Sequence, residues 1–367
     1  MGFKLIIFIS ILSLLAAFVM DTLIKAHFFT RVYDHFPGNC TMFPMNGSED
    51  FALFPNDHVM VSSGLEIFNN AEKPPAGIYM VDLQHPTPHP VKLNFEGEFL
   101  SKVDFNPHGL GSWVTEEGDY LLYVVNHRVD FDAIECFIYH PDNKSLEHRK
   151  TISNSVMYNL NDLVLVEKDI LYTTRDHYYK NPTAKIFEVF LRLSYGSILY
   201  VDAKGDSVHV KIAADGLWYG NGISKSNNGR FVYINECVPG TVTALTRNCD
   251  NTLQRQQSIL LELAPDNTFV SPINGHLWVG IIAKPLEFEI YKKHSDPTST
   301  PCGGRVLHVT VNEGAEYPFD DSQVEEVFST SGKMISATSA GLYHNKKLLV
   351  GSIRTGMMMC DAPYIIY

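Results

Sequence analysis

The sequence predicts an all-β protein, a six-bladed β-propeller preceded by an N-terminal hydrophobic helix. Three observations carry this reading. One strand–turn–strand grammar recurs six times, helical periodicity is scarce after the first 28 residues, and a cysteine stands outside the repeats at either end. With 367 residues, 45% of them apolar and 12% aromatic, the chain has ample material for a core that closes around an axis.

In chain order, the opening stretch "MGFKLIIFISILSLLAAFVMD" places Lys4 before an unbroken apolar-to-small run from Leu5 to Met20. Such a run is an export or anchoring signal. No small-x-small cleavage pattern precedes Asp21, so residues 1–28 read as a retained signal anchor with Lys4 holding the N-terminus in the cytoplasm. Residues 29–367 then form the propeller and face the secretory lumen or the exterior. The expected location is the endoplasmic reticulum or plasma membrane as a single-pass protein, or secretion with the signal kept. Cysteine usage agrees, since Cys40, Cys136, Cys237, Cys249, Cys302 and Cys360 include no CxxC pair. Zinc-ribbon and thioredoxin readings therefore fall away and disulfides become plausible. Sequons at Asn46 ("NGS") and Asn143 ("NKS") are the expected glycan acceptors, whereas Pro182 blocks the one at Asn181.

Each repeat has a polar pair, an apolar stretch, a turn signal and a second β-branched or aromatic run. The six are "EDFALFPNDHVMVSS" from Glu49, "PHGLGSWVTEEGDYLLYVV" from Pro107, "NDLVLVEKDILYTT" from Asn161, "NGISKSNNGRFVYIN" from Asn221, "DNTFVSPINGHLWVGI" from Asp266 and "TSAGLYHNKKLLVGS" from Thr338. Strand-length runs joined by Asn, Asp, Gly or Lys read as hairpins. The second runs start at Val59, Tyr120, Ile170, Phe231, Leu277 and Leu348, a recurrence of about 46 to 71 residues that suits a four-stranded blade with loops. A pair of β-sandwiches is the alternative all-β arrangement. The region from Ala184 to Gly196, "AKIFEVFLRLSYG", fits either a helix or a buried strand. Cys40 and Cys360 lie just outside the first and last units, where a disulfide would clasp the ring and contribute about 4 kcal/mol by loop closure. Of the other cysteines, Cys237 and Cys249 flank one hairpin and are the pair the sequence suggests.

Pseudo-rotation would bring equivalent positions of the repeats onto one ring around the tunnel. Those positions hold Glu49 and Asp50, His108, Asn161 and Asp162, Asn221, Asp266 and Asn267, and Thr338 with Ser339. Carboxylates and side-chain amides are hard oxygen donors that suit calcium rather than zinc or copper. Four carboxylates facing one tunnel raise one another's pKa unless a cation sits among them. The formal charge of -12, with no Lys/Arg-rich run, argues against a nucleic-acid partner. No GxSxG elbow is present, so a serine-hydrolase route has no support.

The motifs "SED" at 48–50, "FNPHG" at 105–109, "YVVNH" at 123–127, "NLND" at 159–162, "DHYY" at 176–179, "NGIS" at 221–224, "PDN" at 265–267 and "LWVG" at 277–280 stand together in order. As a set they resemble the paraoxonase/arylesterase family from about Cys40 to Cys360. The resemblance implies a six-bladed propeller with two calcium ions in its tunnel. It implies Glu49, Asn161, Asn221, Asp266 and Asn267 around a catalytic calcium, and Asp50, Asp162 and the Leu110 backbone carbonyl around a structural one. It further implies His108 as the base, His127 as its partner, and the Cys40–Cys360 disulfide.

Two functions follow from the resemblance. One is calcium-dependent hydrolysis of aryl esters or lactones, with the cation stabilising the oxyanion and His108 taking a proton from water. The other is a non-catalytic, membrane-anchored accessory role in assembling degenerin/epithelial sodium channel subunits, which some nematode members similar to this family perform. Two departures bear on the choice. A family histidine expected directly after "LWVG" is absent from "IIAKP", Ile281 to Pro285, and Arg175 stands where a neutral residue is usual.

Overall fold

A computed structural model describes residues 2–25, 27–66, 75–261, 264–294, 296 and 299–363. Six sheets, antiparallel except for one short edge pair, surround a central axis. The innermost strands of blades 1 to 6 are, in order, Phe51–Phe54, Pro107–Val114, Leu160–Glu167, Gly220–Lys225, Ala264–Val270 and Thr338–His344. Each touches the next around the circle, and the last touches the first, which closes the ring.

The second strands begin at His58, Tyr120, Ile170, Phe231, Leu277 and Lys347, within one residue of the positions the repeat predicts. Every hairpin between first and second strand contains a left-handed residue: Asn56 and Asp57, Gly118, Asp169, Gly229, Gly275, and Asn345 with Lys346. Turn chemistry thus sets the register of all six hairpins, because only residues that tolerate positive φ fit these connections. Blade 2 carries a fifth edge strand, Asn94–Phe95, which pairs in parallel with Ser145–Ile152.

The core is distributed between blades rather than gathered in one place. Leu110, Leu122, Val124 and Phe137 of blade 2 pack against Met60, Ile78 and Met80 of blade 1. Tyr123, Val125 and Ile134 on the opposite face of blade 2 pack against Leu163, Leu171 and Leu199 of blade 3. Four further clusters repeat this arrangement around the circle. Alternating strands buried on both faces explain why the repeats read as near-continuous apolar runs.

Blade 6 joins the chain ends. Cys40–Phe43 pairs with Met357–Asp361, with Cys40 opposite Cys360 in register, and the two are disulfide-bonded across 320 positions of sequence. The expected Cys237–Cys249 bond does not form; both thiols are free. They lie at opposite ends of the strand Thr241–Arg247, and seven residues at roughly 3.3 Å each exceed the reach of a disulfide.

The N-terminal helix spans Gly2–Lys25, or about 36 Å at 1.5 Å per residue, enough to cross a hydrocarbon layer. Its described apolar side chains are almost all exposed. Of the ambiguous region Ala184 to Gly196, the part up to Phe190 lies in a helix, Pro182–Phe190, because Asn181 accepts hydrogen bonds from the N–H groups of Thr183 and Ala184 and Pro182 occupies the first turn, whereas Gly196 opens the strand Gly196–Asp202. The two helices meet through Phe18 against Phe190 and an Asp21–Arg192 ion pair of 2.7 Å.

Candidate metal centre and active site

The ring positions are built by a shared backbone irregularity. In five inner strands the pairing register shifts across the polar pair, between Pro107 and Leu110, Leu160 and Leu163, Gly220 and Ile223, Pro265 and Thr268, and Thr338 and Gly341. A bulge re-aims the residues it contains. In blade 1, Glu49 and Asp50 lie just ahead of the strand and are held by hydrogen bonds between Glu49 N–H and the Ser62 carbonyl and between Ser62 N–H and the Asp50 carbonyl. Glycine permits the neighbouring strands to crowd together here. A Cβ on Gly109 would lie 2.5 Å from Asp162 Cα, and one on Gly222 would lie 2.7 Å from Asn267 Cα.

Glu49, Asp50, Asn161, Asp162, Asn221, Asp266 and Asn267 are all buried, no more than 7% exposed. Five of them each present one buried oxygen with no hydrogen-bond partner among the described residues: Glu49 Oε2, Asn161 Oδ1, Asn221 Oδ1, Asp266 Oδ2 and Asn267 Oδ1. Leaving such a group unpaired costs roughly 1–3 kcal/mol, more when it is charged. A set made only of carboxylate and amide oxygens fits a hard divalent cation. These five are the residues expected around the catalytic calcium.

Asp50 and Asp162 are engaged differently. Asp50 accepts from Phe51 N–H at 2.8 Å and, across the blade boundary, from Leu110 N–H at 2.7 Å. Asp162 accepts from Leu163 N–H at 2.7 Å and from Ile223 N–H of blade 4 at 2.8 Å. The contact joining Leu110 to Asp50 thus runs through the peptide N–H.

The carboxylates crowd one another. Burial, and then the neighbouring Glu49, push the Asp50 carboxyl up to about 8. Burial and then Asp50 push Asp162 well up, and burial and then Glu49 do the same to Asp266. A cation among these groups would remove the penalty.

His108 joins this ring to a second chain of contacts. Its Nε2 lies 3.5 Å from Glu49 Oε1, and its Nδ1 lies 2.9 Å from His127 Nε2. Burial alone would lower the His108 pKa, but the Glu49 carboxylate beside it turns the shift upward. His127 Nδ1 in turn lies 2.9 Å from Asp132 Oδ1.

With this geometry in view, residues 34–362 match the family model described as Arylesterase. The chain belongs to the arylesterase family. It is 29% identical over 318 residues to human serum paraoxonase/arylesterase 1, covering 86% of each chain. It is 28% identical over 330 residues to human serum paraoxonase/lactonase 3, covering 89% of each. Among solved structures, the PQQ-bound aldose sugar dehydrogenase of Streptomyces coelicolor shares the fold at a TM-score of 0.51 and 12% identity, over 90% of this chain and 99% of that one. That likeness concerns architecture alone.

The two departures of this arylesterase-family chain have structural consequences. Ile281 and Ile282 are buried strand residues, and Lys284 turns toward the N-terminal segment, donating to the carbonyls of His27, Phe28 and Thr30 at 3.2, 2.9 and 2.9 Å. Arg175 stacks on Tyr158 with its guanidinium 5.0 Å from the ring centroid and donates to the Tyr158 hydroxyl at 3.2 Å. Sequon residues Asn46 and Asn143 are exposed. Sequence reading passed over Asp132 because it lies outside the repeat. Its signal was local: it opens the strand that pairs with the one ending in His127, and the two residues are register partners.

Proposed function

We propose that this arylesterase-family protein hydrolyses carboxylic esters, aryl esters and lactones in particular, in a calcium-dependent reaction inside the propeller tunnel. The observation that carries the proposal is the position of His108, with one nitrogen toward Glu49 at the edge of five unpartnered buried oxygens and the other on His127. Glu49, Asn161, Asn221, Asp266 and Asn267 would hold the catalytic ion, while Asp50, Asp162 and the Leu110 carbonyl would hold a structural one. A calcium ion bound by the first set supplies Lewis-acid polarisation of the substrate carbonyl and charge stabilisation for the oxyanion. His108 acts as general base, taking a proton from the attacking water at Nε2, and His127 supports it from the far side of the ring. Aryl esters and lactones suit such a site because a good leaving group or a strained ring needs little acid assistance.

The N-terminal helix acts in this reading as a signal anchor that places the propeller in the secretory lumen or outside the cell. The Cys40–Cys360 disulfide and the exposed sequon residues Asn46 and Asn143 accord with that compartment. So does the apolar surface of the helix after Asn181, where Ile186, Phe187, Phe190 and Leu191 are exposed beside the N-terminal helix. No observation of this chain favours an accessory role with ion-channel subunits.

The test is hydrolysis of phenyl acetate and a panel of lactones by the full chain. Activity should vanish on chelation, return with calcium, and fall by about 10²–10⁴-fold in His108→Gln. A folded, calcium-loaded protein inert toward every substrate would overturn the proposal.

A further inference from the structure

We propose that Asp132 is a positioning residue that fixes which nitrogen of His108 carries the lone pair facing the tunnel. The inference rests on the reading of His108 as the proton acceptor and names the group that makes it one.

The geometry is a three-link chain with fixed ends. Asp132 Oδ2 accepts from the backbone N–H of Leu160 at 3.0 Å, and Asp132 Oδ1 lies 2.9 Å from His127 Nδ1. His127 Nε2 lies 2.9 Å from His108 Nδ1, which leaves His108 Nε2 as the nitrogen facing Glu49. Burial would raise the Asp132 pKa, but hydrogen bonds from His127 and Leu160 outweigh it and hold the carboxyl below its usual range.

An ionised carboxylate only accepts hydrogen bonds, so His127 must present Nδ1–H to Asp132. A neutral imidazole has one N–H. His127 Nε2 is therefore bare and accepts from His108, which must carry its hydrogen on Nδ1. Its lone pair then sits on Nε2, toward the tunnel. With Asp132 ionised and both rings neutral, no other arrangement of protons satisfies all three links. When Nε2 takes a proton from water, the two imidazoles share one positive charge, and the Asp132 carboxylate lies in hydrogen-bond contact with the outer ring.

Leu160 makes the arrangement testable by an isosteric change. In Asp132→Asn, the Leu160 N–H still requires an acceptor, so the amide oxygen stays on that side and the NH₂ turns to His127 Nδ1. His127 must then be protonated at Nε2 and donate to His108 Nδ1. His108 in turn carries its hydrogen on Nε2 and has no lone pair to offer the tunnel. Both rings change tautomer without a shift of heavy atoms.

The experiment combines kinetics and nitrogen NMR on the calcium-loaded full chain labelled with ¹⁵N-histidine, with the two rings assigned from His108→Gln and His127→Gln. Wild type should show N–H at Nδ1 on both rings. Asp132→Asn should show it at Nε2 on both and lose about 10²–10⁴-fold in kcat, with KM changed by less than about threefold and the melting temperature retained. A wild-type His108 protonated at Nε2 overturns the inference, whether or not the variant folds. A variant that keeps kcat, or loses it while both tautomers stay as in wild type, overturns it as well. If wild type proves inert toward esters and lactones, the hydrolase reading fails, and the nitrogen pattern still decides the role of Asp132.

Discussion

The Asn267 amide donates to the Glu49 carboxylate at 2.7 Å, although the two residues stand 218 positions apart in sequence. The same amide also donates to the Glu49 backbone carbonyl at 3.0 Å, and the other Glu49 carboxylate oxygen is buried without a hydrogen-bond partner among the described residues. Glu49→Gln keeps the shape and removes a charge. It should weaken calcium binding by at least tenfold, measured by calcium titration of the melting temperature. Unchanged titration in the variant would exclude Glu49 as a ligand.

Stability of the calcium-free protein should depend on pH in a defined direction. Asp50 is pushed up to about 8 by burial and Glu49, above the value of an unfolded aspartate. The folded state then binds more protons than the unfolded state, so stability falls as pH rises. Chelated protein should lose melting temperature from about pH 4 to about pH 8, and calcium should flatten that slope. A flat profile under chelation contradicts the expectation.

Asp169 shows the opposite sign. It accepts hydrogen bonds from Tyr123 at 2.7 Å and from Arg149 at 2.8 and 2.9 Å, and pairs with Lys150 at 3.0 Å. Burial opposes its ionisation, but these partners outweigh burial and hold the carboxyl at about 2. The stabilisation is complete above about pH 4 and is lost as pH falls through about 2. Asp169→Asn should therefore cost about 2 kcal/mol at pH 7, seen in urea unfolding, with the deficit shrinking toward pH 2.

Gly222→Ala should cost about 3 kcal/mol and impair calcium binding, because the added carbon would lie 2.5 Å from the Asp266 carbonyl oxygen. Gly205→Ala, with nothing within 4 Å of the added carbon, serves as the control and should be neutral within about 0.5 kcal/mol. Equal effects at the two sites would refute close strand approach as the cause.

Reduction of the Cys40–Cys360 bond should destabilise the protein by about 4 kcal/mol and lower its melting temperature by about 5 °C. Alkylation of denatured, unreduced protein should modify four cysteines by mass spectrometry: Cys136, Cys237, Cys249 and Cys302. Two adducts would restore a second disulfide.

The repeat was legible because equal offsets carry like chemistry: Glu49, Asn161, Asn221 and Asp266 open their units with a carboxylate or amide, and His108 stands at the corresponding place in its own. Turn residues marked the hairpins to within a residue. The bulges that turn these side chains inward were not legible, since a register shift depends on the facing strand. Asp132 escaped notice because its role comes from a hairpin partner rather than from the repeat. The Cys237–Cys249 pairing failed for a related reason, because neighbours around a hairpin can stand a full strand length apart.

Blade 6 takes its outermost strand from the beginning of the chain and its other three from the end. During synthesis, Cys40–Phe43 therefore emerges early and stays without its sheet until Met357–Asp361 has been made. A chain truncated before Cys360 leaves an unpaired thiol and an exposed sheet edge, both of which invite capture by folding machinery. Oxidation of this one bond therefore requires that synthesis has passed Cys360 and that the two strands have met.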